Sequence, residues 1–227
     1  MTYTQIALDI DGPIATITLD RPERMNALHP PANAELDRAF NDFAADPDLW
    51  VAIITGAGER AFSAGNDLRW QAEGNAITVP PSGFGGLTSR WDLDKPVIAA
   101  VNGVAMGGGF EVALAADIIL ASDNATFALP EPKVGLAALA GGLHRLPRAI
   151  GVSRAMAMIL TARTVSAAEG KELGFVTEVV PAPDLLTRAK ALAAAMCELS
   201  PLSLRASKQA VLKGLEEPSL RAAYEGQ

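Results

Sequence analysis

The chain has 227 residues, 49% hydrophobic, 5% aromatic and 20% charged, with 19 basic against 26 acidic side chains and a formal net charge of −7. That apolar content excludes a disordered chain, and the acidic balance offers no field for a phosphate backbone, so no nucleic-acid partner is expected. One cysteine, Cys197, and two histidines, His29 and His144, exclude an intramolecular disulfide, a Cys-rich cluster and a His-based metal centre without heavy carboxylate help. The N-terminus lacks a basic stretch followed by an apolar run, and no apolar stretch reaches about 18 residues. A soluble, cytoplasmic protein without membrane contact is therefore expected, its core built from Ala, Val, Ile and Leu.

In chain order, residues 14–19 (IATITL) alternate and predict a strand, closed by the turn signal Asp20-Arg21-Pro22. Pro31 is placed to open a helix with Leu36, Phe40 and Phe43 on one face. Residues 51–55 form a short continuous apolar run, as a strand covered on both faces would. The same pattern recurs at 96–101 and 117–121, with a helix-like segment between them. Residues 74–90, rich in Gly, Pro, Ser and Thr, predict a flexible surface loop. Beyond residue 142 the strand signal fades and helices take over. Ser166 and Glu169 match a capping box with Gly174 as its stop, and residues 184–198 and 203–214 read as further helices. The implied class is α/β with substantial parallel pairing, followed by a helical C-terminal region.

Three features invite a chemical reading. Gly56-Ala57-Gly58-Glu59-Arg60-Ala61 fits a permissive dinucleotide fingerprint after a strand. The turn Phe62-Ser63-Ala64-Gly65, however, stands where a cofactor helix should run. The second feature is Gly107-Gly108-Gly109-Phe110-Glu111. Consecutive glycines permit close backbone approach to a ligand and leave free N–H groups at a helix's positive end, which suits a developing oxyanion. Third, Glu131 stands between Pro130 and Pro132 in an apolar stretch, where a charge is costly unless it is functional or paired. It lies 20 residues after Glu111, so both carboxylates can meet at one pocket, hold a water and exchange protons with a substrate.

Four blocks together carry a resemblance: residues 20–28 (DRPERMNAL), 61–68 (AFSAGNDL), 95–111 (KPVIAAVNGVAMGGGFE) and 127–135 (FALPEPKVG). The chain resembles the crotonase superfamily of enoyl-CoA hydratases and isomerases, with the blocks in that family's order over nearly the whole chain. The resemblance implies a spiral of repeated ββα units over residues 1–190 and a helical region over 191–227. Family chains run further, which implies more helices after Gln227. It also implies a homotrimer or a dimer of trimers, and an acyl-CoA thioester as substrate, with no cofactor beyond the coenzyme A of the substrate itself.

By position, the backbone N–H groups of Asn66 and Gly108 match the family's oxyanion-hole donors, while Glu111 and Glu131 match the two glutamates that position water and shuttle protons. Arg24, Met25, Ala27, Ala64, Asp67 and Leu68 match CoA-channel positions, with Gly107, Pro130 and Leu139 at the acyl end. Because both glutamates are present, hydration of a 2-enoyl-CoA or the reverse dehydration is implied. Residues 84–91 (FGGLTSRW) and 127–131 further resemble the carnitinyl-CoA dehydratase branch, whose substrate carries a trimethylammonium group. Trp70 or Trp91 could face such a cation, but the apolar stretch 135–142 favours an ordinary acyl chain.

Isomerase activity is the alternative within the class. Outside it stand a non-catalytic acyl-CoA-binding or RNA-associated protein and, from the turn at residues 56–61, a nucleotide-dependent oxidoreductase. His144 is expected at a helix surface or subunit contact, His29 in a structural or exposed turn, and Cys197 as a small core residue. Met106 is expected to pack beside the glycines.

Overall fold

Two sheets take the chain's strands in alternation, and that alternation is what builds the site. In the computed structural model, which describes residues 3–225, β1 (Ile6–Asp11), β2 (Ile14–Leu19), β3 (Val51–Gly56), β5 (Val97–Val101), β7 (Ile118–Ser122) and β10 (Glu178–Val180) form one sheet. They lie in the order β1-β2-β3-β5-β7-β10, parallel from β2 onward, with β1 antiparallel at the edge. The second sheet takes β4 (Ala61–Ser63), β6 (Val104–Met106), β8 (Thr126–Ala128) and β9 (Val165–Ser166) in that order. Each passage from β3 to β4, β5 to β6 and β7 to β8 crosses from the first sheet to the second. This is the repeated ββα spiral that the resemblance implies.

The first sheet is covered on both faces, which explains its continuous apolar runs. On one face Val51, Ile53, Ile98, Ala100 and Leu120 pack against Leu185, Ala189 and Ala193 of α7 (Leu185–Cys197). Their neighbours Ala52, Ile54, Ala99 and Val101 point the other way, into the main core. There α1 (Pro30–Ala45) buries Leu36, Phe40 and Phe43, each worth about 1.5–3 kcal/mol of burial. The Lys95 ammonium donates to the carbonyls of Phe43 at 2.7 Å and Asp46 at 2.5 Å, closing the negative end of that helix.

Several expectations are corrected here. The boundary at 190/191 falls inside α7, whose Ala189 and Ala193 share one core. Strand pairing also persists beyond residue 142, in β9 and β10. The expected flexible loop at 74–90 is irregular at first, but Ser82 through Thr88 are buried. The Gly85 N–H donates to the Asn33 side chain at 2.7 Å, Ser82 bonds Asp37, and Gly86 lies against the Leu36–Asp37 backbone. Glycines that read as loop therefore serve as close packing surfaces. The turn at Gly56 leads into β4 rather than a helix, and Gly56 abuts the carbonyls of Ala61 and Phe62. No cradle for a pyrophosphate exists there.

The helices at the end of the chain follow. The main core is extended by α4 (Gly142–Ile150), α5 (Val152–Thr161) and α6 (Ala167–Leu173). The Ser166 hydroxyl caps α6 by accepting from the Glu169 N–H at 3.2 Å, and Gly174 ends the helix in the left-handed region. α8 (Pro201–Gly214) docks through ion pairs, Arg205 to Asp94 at 2.7 Å and Lys208 to Asp117 at 2.8 Å, and leads to α9 (Leu220–Glu225). No helix among the described residues is long and apolar enough to cross a membrane.

Candidate active site

Parallel pairing of β6 with β8, in register at Met106 and Ala128, places the segments that follow these strands side by side. After β6 the chain turns at Gly107, whose N–H donates to the Ala128 carbonyl at 2.9 Å, and enters α3 (Gly108–Ala115) with Glu111 in its first turn. After β8 comes a single turn of 3-10 helix that begins with Glu131. The two glutamates, 20 residues apart, thereby meet in one place.

Glu111 is 3% exposed and accepts from the Gly142 N–H at 2.8 Å, at the start of α4. Burial pushes its carboxyl up to about 7; the Gly142 bond and Arg145 oppose that rise, and the neighbouring Glu131 adds to it. Burial also pushes the Glu131 carboxyl up. Its Oε2 is buried and bonds no protein group among the described residues. Beside it lies a cavity of about 80 Å³ walled by Leu129, Pro132, Leu136, Leu143 and Ile159. Two neighbouring raised carboxyls, one of them (Glu131) on the wall of a mostly apolar cavity, are the arrangement that proton transfer near neutral pH needs.

The three glycines before Glu111 prove to have separate tasks. Gly107 has φ +53°, and a methyl there would sit 2.8 Å from Glu131 Oε1. Gly108 is covered by the Phe84 ring and Gly109 by the Ser63 carbonyl. All three thus make room on their Cα side for the protein's own groups, while the Gly108 N–H stays open. The Asn66 and Gly108 N–H groups donate to no protein acceptor among the described residues. They are neighbours because Gly65, at φ +85°, lies against the backbone of Met106 and Gly108.

The expected CoA-channel positions converge on two strapped segments. Ala64 donates to Met25 at 2.9 Å, Leu28 to Gly65 at 2.7 Å, and Asp67 to Leu28 at 2.9 Å. Arg24 lies in the turn before Met25, and Ala27 is buried just beyond it. Asp67 caps α2 (Leu68–Ala72) through the Trp70 N–H at 3.2 Å and pairs with Arg21 at 3.0 Å, while Leu68 is 47% exposed. Pro130 directly precedes Glu131. Leu139, at 82% exposure, stands outside the walls of the cavity. His29 is buried with its ring edge-on to Trp70 at 4.9 Å, and its Nδ1 has no partner among the described residues. His144 is exposed, as expected.

Three residues of this region were not assigned roles from sequence. Arg21 fixes Asp67. Asn26 accepts from the Arg21 N–H at 3.0 Å and donates to the Ala57 and Ala61 carbonyls at 3.0 and 2.7 Å, locking the turn that carries Met25 and Ala27. Arg145 faces Glu111 from α4. A buried Asn in the left-handed region, φ +53°, is a backbone signal that sequence only hints at.

The family profile described as "Enoyl-CoA hydratase/isomerase" matches residues 9–227. The chain belongs to the enoyl-CoA hydratase/isomerase family. A carnitinyl-CoA dehydratase of Salmonella typhi is 47% identical over 216 residues, covering 94% of this chain and 82% of that protein. Among solved structures, a carnitinyl-CoA hydratase from Mycobacterium avium, 36% identical, matches with a TM-score of 0.90 over 99% of this chain and 89% of its own. An enoyl-CoA hydratase from Mycobacterium tuberculosis, also 36% identical, reaches 0.92 over 98% and 86%. The chain is thus an enzyme of this hydro-lyase family with the family's fold, and the paired carboxylates lie within the matched region.

Proposed function

We propose that the protein adds water reversibly across the double bond of a 2-enoyl-CoA thioester. The observation that carries this reading is the meeting of the buried Glu111 with the half-buried Glu131, beside the N–H groups of Asn66 and Gly108, which are unpaired among the described residues. The thioester oxygen accepts from both N–H groups, and each donor lowers the barrier to an enolate-like state by roughly 3–4 kcal/mol. A water between the glutamates adds its oxygen to C3 and gives its proton to one carboxylate; the other carboxylic acid protonates C2.

Glu111, which has the Gly142 N–H and the Arg145 guanidinium to stabilise its anion, takes the base role. Glu131 has no such partner for Oε2 among the described residues and takes the acid role. Coenzyme A enters as part of the substrate, along the segments at residues 24–28 and 64–68, and no separate cofactor is required. The exposed row Val152, Met156 and Leu160, one turn apart on α5, supports assembly as a homotrimer or pair of trimers. A lone thiol, Cys197, suits a cytoplasmic location.

The names of the relatives favour a second reading, dehydration of carnitinyl-CoA. A quaternary ammonium is usually met by free aromatic faces. Here the Trp91 ring carries Arg145 at 5.2 Å, and Trp70 is engaged by His29. An uncharged acyl group is therefore the preferred substrate. A panel of crotonyl-, 3-hydroxybutyryl- and crotonobetainyl-CoA tests this, with at least tenfold higher kcat/KM expected for crotonyl- over crotonobetainyl-CoA. The reverse order would replace the first reading by the second, and conversion of none would defeat both.

A further inference from the structure

Arg145 lies on α4, one turn after the glycine that holds Glu111, and three contacts fix its guanidinium. Nη2 donates to the Thr88 carbonyl at 2.9 Å, and Thr88 is itself buried. The guanidinium lies over the Trp91 ring at 5.2 Å and folds back against Gly141, the N-cap of α4. The Thr88 segment is anchored in turn on α1 through Gly85 to Asn33 and through Arg90, whose Nη1 donates to the Asn41 side chain at 2.7 Å. One side chain thus ties α1 and the Ser82–Trp91 segment to the turn whose Gly142 N–H orients Glu111.

We propose that Arg145 is a positioning residue for Glu111: it fixes the α4 N-terminus that orients the carboxylate and holds a half-buried cation on that same turn. The inference rests on the role given to Glu111 above. The groups facing Glu111 are Glu131 from the turn after β8, the Gly142 N–H and the Ala140 backbone from the segment entering α4, and Arg145 from α4 itself. Arg148, one turn further on, acts on Arg145. Of these, Glu131 opposes a charge on Glu111 while Arg145 favours it. A cation near a buried carboxyl favours its anion and lowers its pKa. Lysine would keep the charge without the planar fork that meets Thr88 and Trp91 together.

The test is the pH dependence of kcat/KM for crotonyl-CoA in the full chain carrying Arg145→Met or Arg145→Lys. The methionine variant is expected to move the acid limb up by about one pH unit, costing about tenfold at pH 6 and much less at pH 9. The lysine variant should keep the acid limb within about 0.3 unit while losing activity evenly across pH. Arg145→Gln, which keeps a donor for Thr88, replaces the methionine variant if that chain does not fold. An acid limb that stays in place in the neutral variants, with activity falling evenly alongside thermal stability, would overturn the proposal. If the wild-type enzyme hydrates nothing, the Glu111 role fails separately. Carbon-13 titration of the Glu111 carboxyl, identified by its absence in Glu111→Gln, then reads the effect of Arg145 in the resting protein. An upward shift without Arg145 supports the proposal, and an unchanged titration overturns it.

Discussion

Replacing Glu111 by glutamine should stabilise the protein at alkaline pH while abolishing its activity. The carboxyl is carried from 4.5 to about 7 by burial. Each pH unit of displacement corresponds to about 1.4 kcal/mol, so the buried anion costs roughly 3 kcal/mol against the unfolded chain. The sign follows from proton binding. Between pH 4.5 and 7 the folded state holds a proton that the unfolded state has released, so stability falls as pH rises through this window and levels off above it. Glutamine has no such dependence, and its side-chain oxygen can still accept the Gly142 N–H. The difference between variant and wild type should therefore be near zero at pH 4.5 and grow to about 3 kcal/mol at pH 8. For a chain of this size each kcal/mol moves the melting temperature by about 2–4 °C. Paired thermal melts from pH 4.5 to 8.5 read this, since titrating groups that do not interact with Glu111 cancel in the difference. A gain independent of pH, or a lower melting point than wild type at pH 8, would refute the burial argument.

Other substitutions separate the site from its scaffold. Gly65→Ala puts a side chain at φ +85° and 2.9 Å from the Gly108 nitrogen, so kcat should fall at least about 10²-fold, with a stability loss of about 1–3 kcal/mol by thermal melt. Asn26→Ala strands the partners of three hydrogen bonds and forces alanine into the left-handed region, so denaturant titration should show a loss of about 2–4 kcal/mol. Ser166→Ala removes only the cap of α6, and should cost about 1 kcal/mol of stability with crotonyl-CoA hydration unchanged.

In the large sheet β2, β3, β5 and β7 were legible because each is long enough to show its pattern, whereas β1 was not read as a strand and β10, with three residues, lies where the strand signal had faded. β2 and β3 alternate between two cores, and β5 and β7 are short apolar runs covered on both faces. The small sheet was not, since β4, β6 and β8 have three residues each and β9 has two, too few for any period to emerge. Yet those strands bring Glu111 to Glu131. Of the glutamates, Glu131 stood out as a charge in an apolar stretch and Glu111 by the three glycines before it. Arg145 did not, because a long cationic side chain on a helix reads as surface until its guanidinium is seen folded onto Thr88 and Trp91. The Ser82–Thr88 segment misled for a related reason: Gly, Ser and Thr make loops by composition, and only contact with α1 and Gly108 makes this one buried.

The pair of carboxyls remains the heart of the account, and the rate of crotonyl-CoA hydration in Glu111→Gln and Glu131→Gln tests it most directly. Each variant is predicted to lose at least about 10²-fold in turnover while binding a CoA thioester within about threefold of wild type. Hydration at a near-normal rate by either purified variant would contradict it.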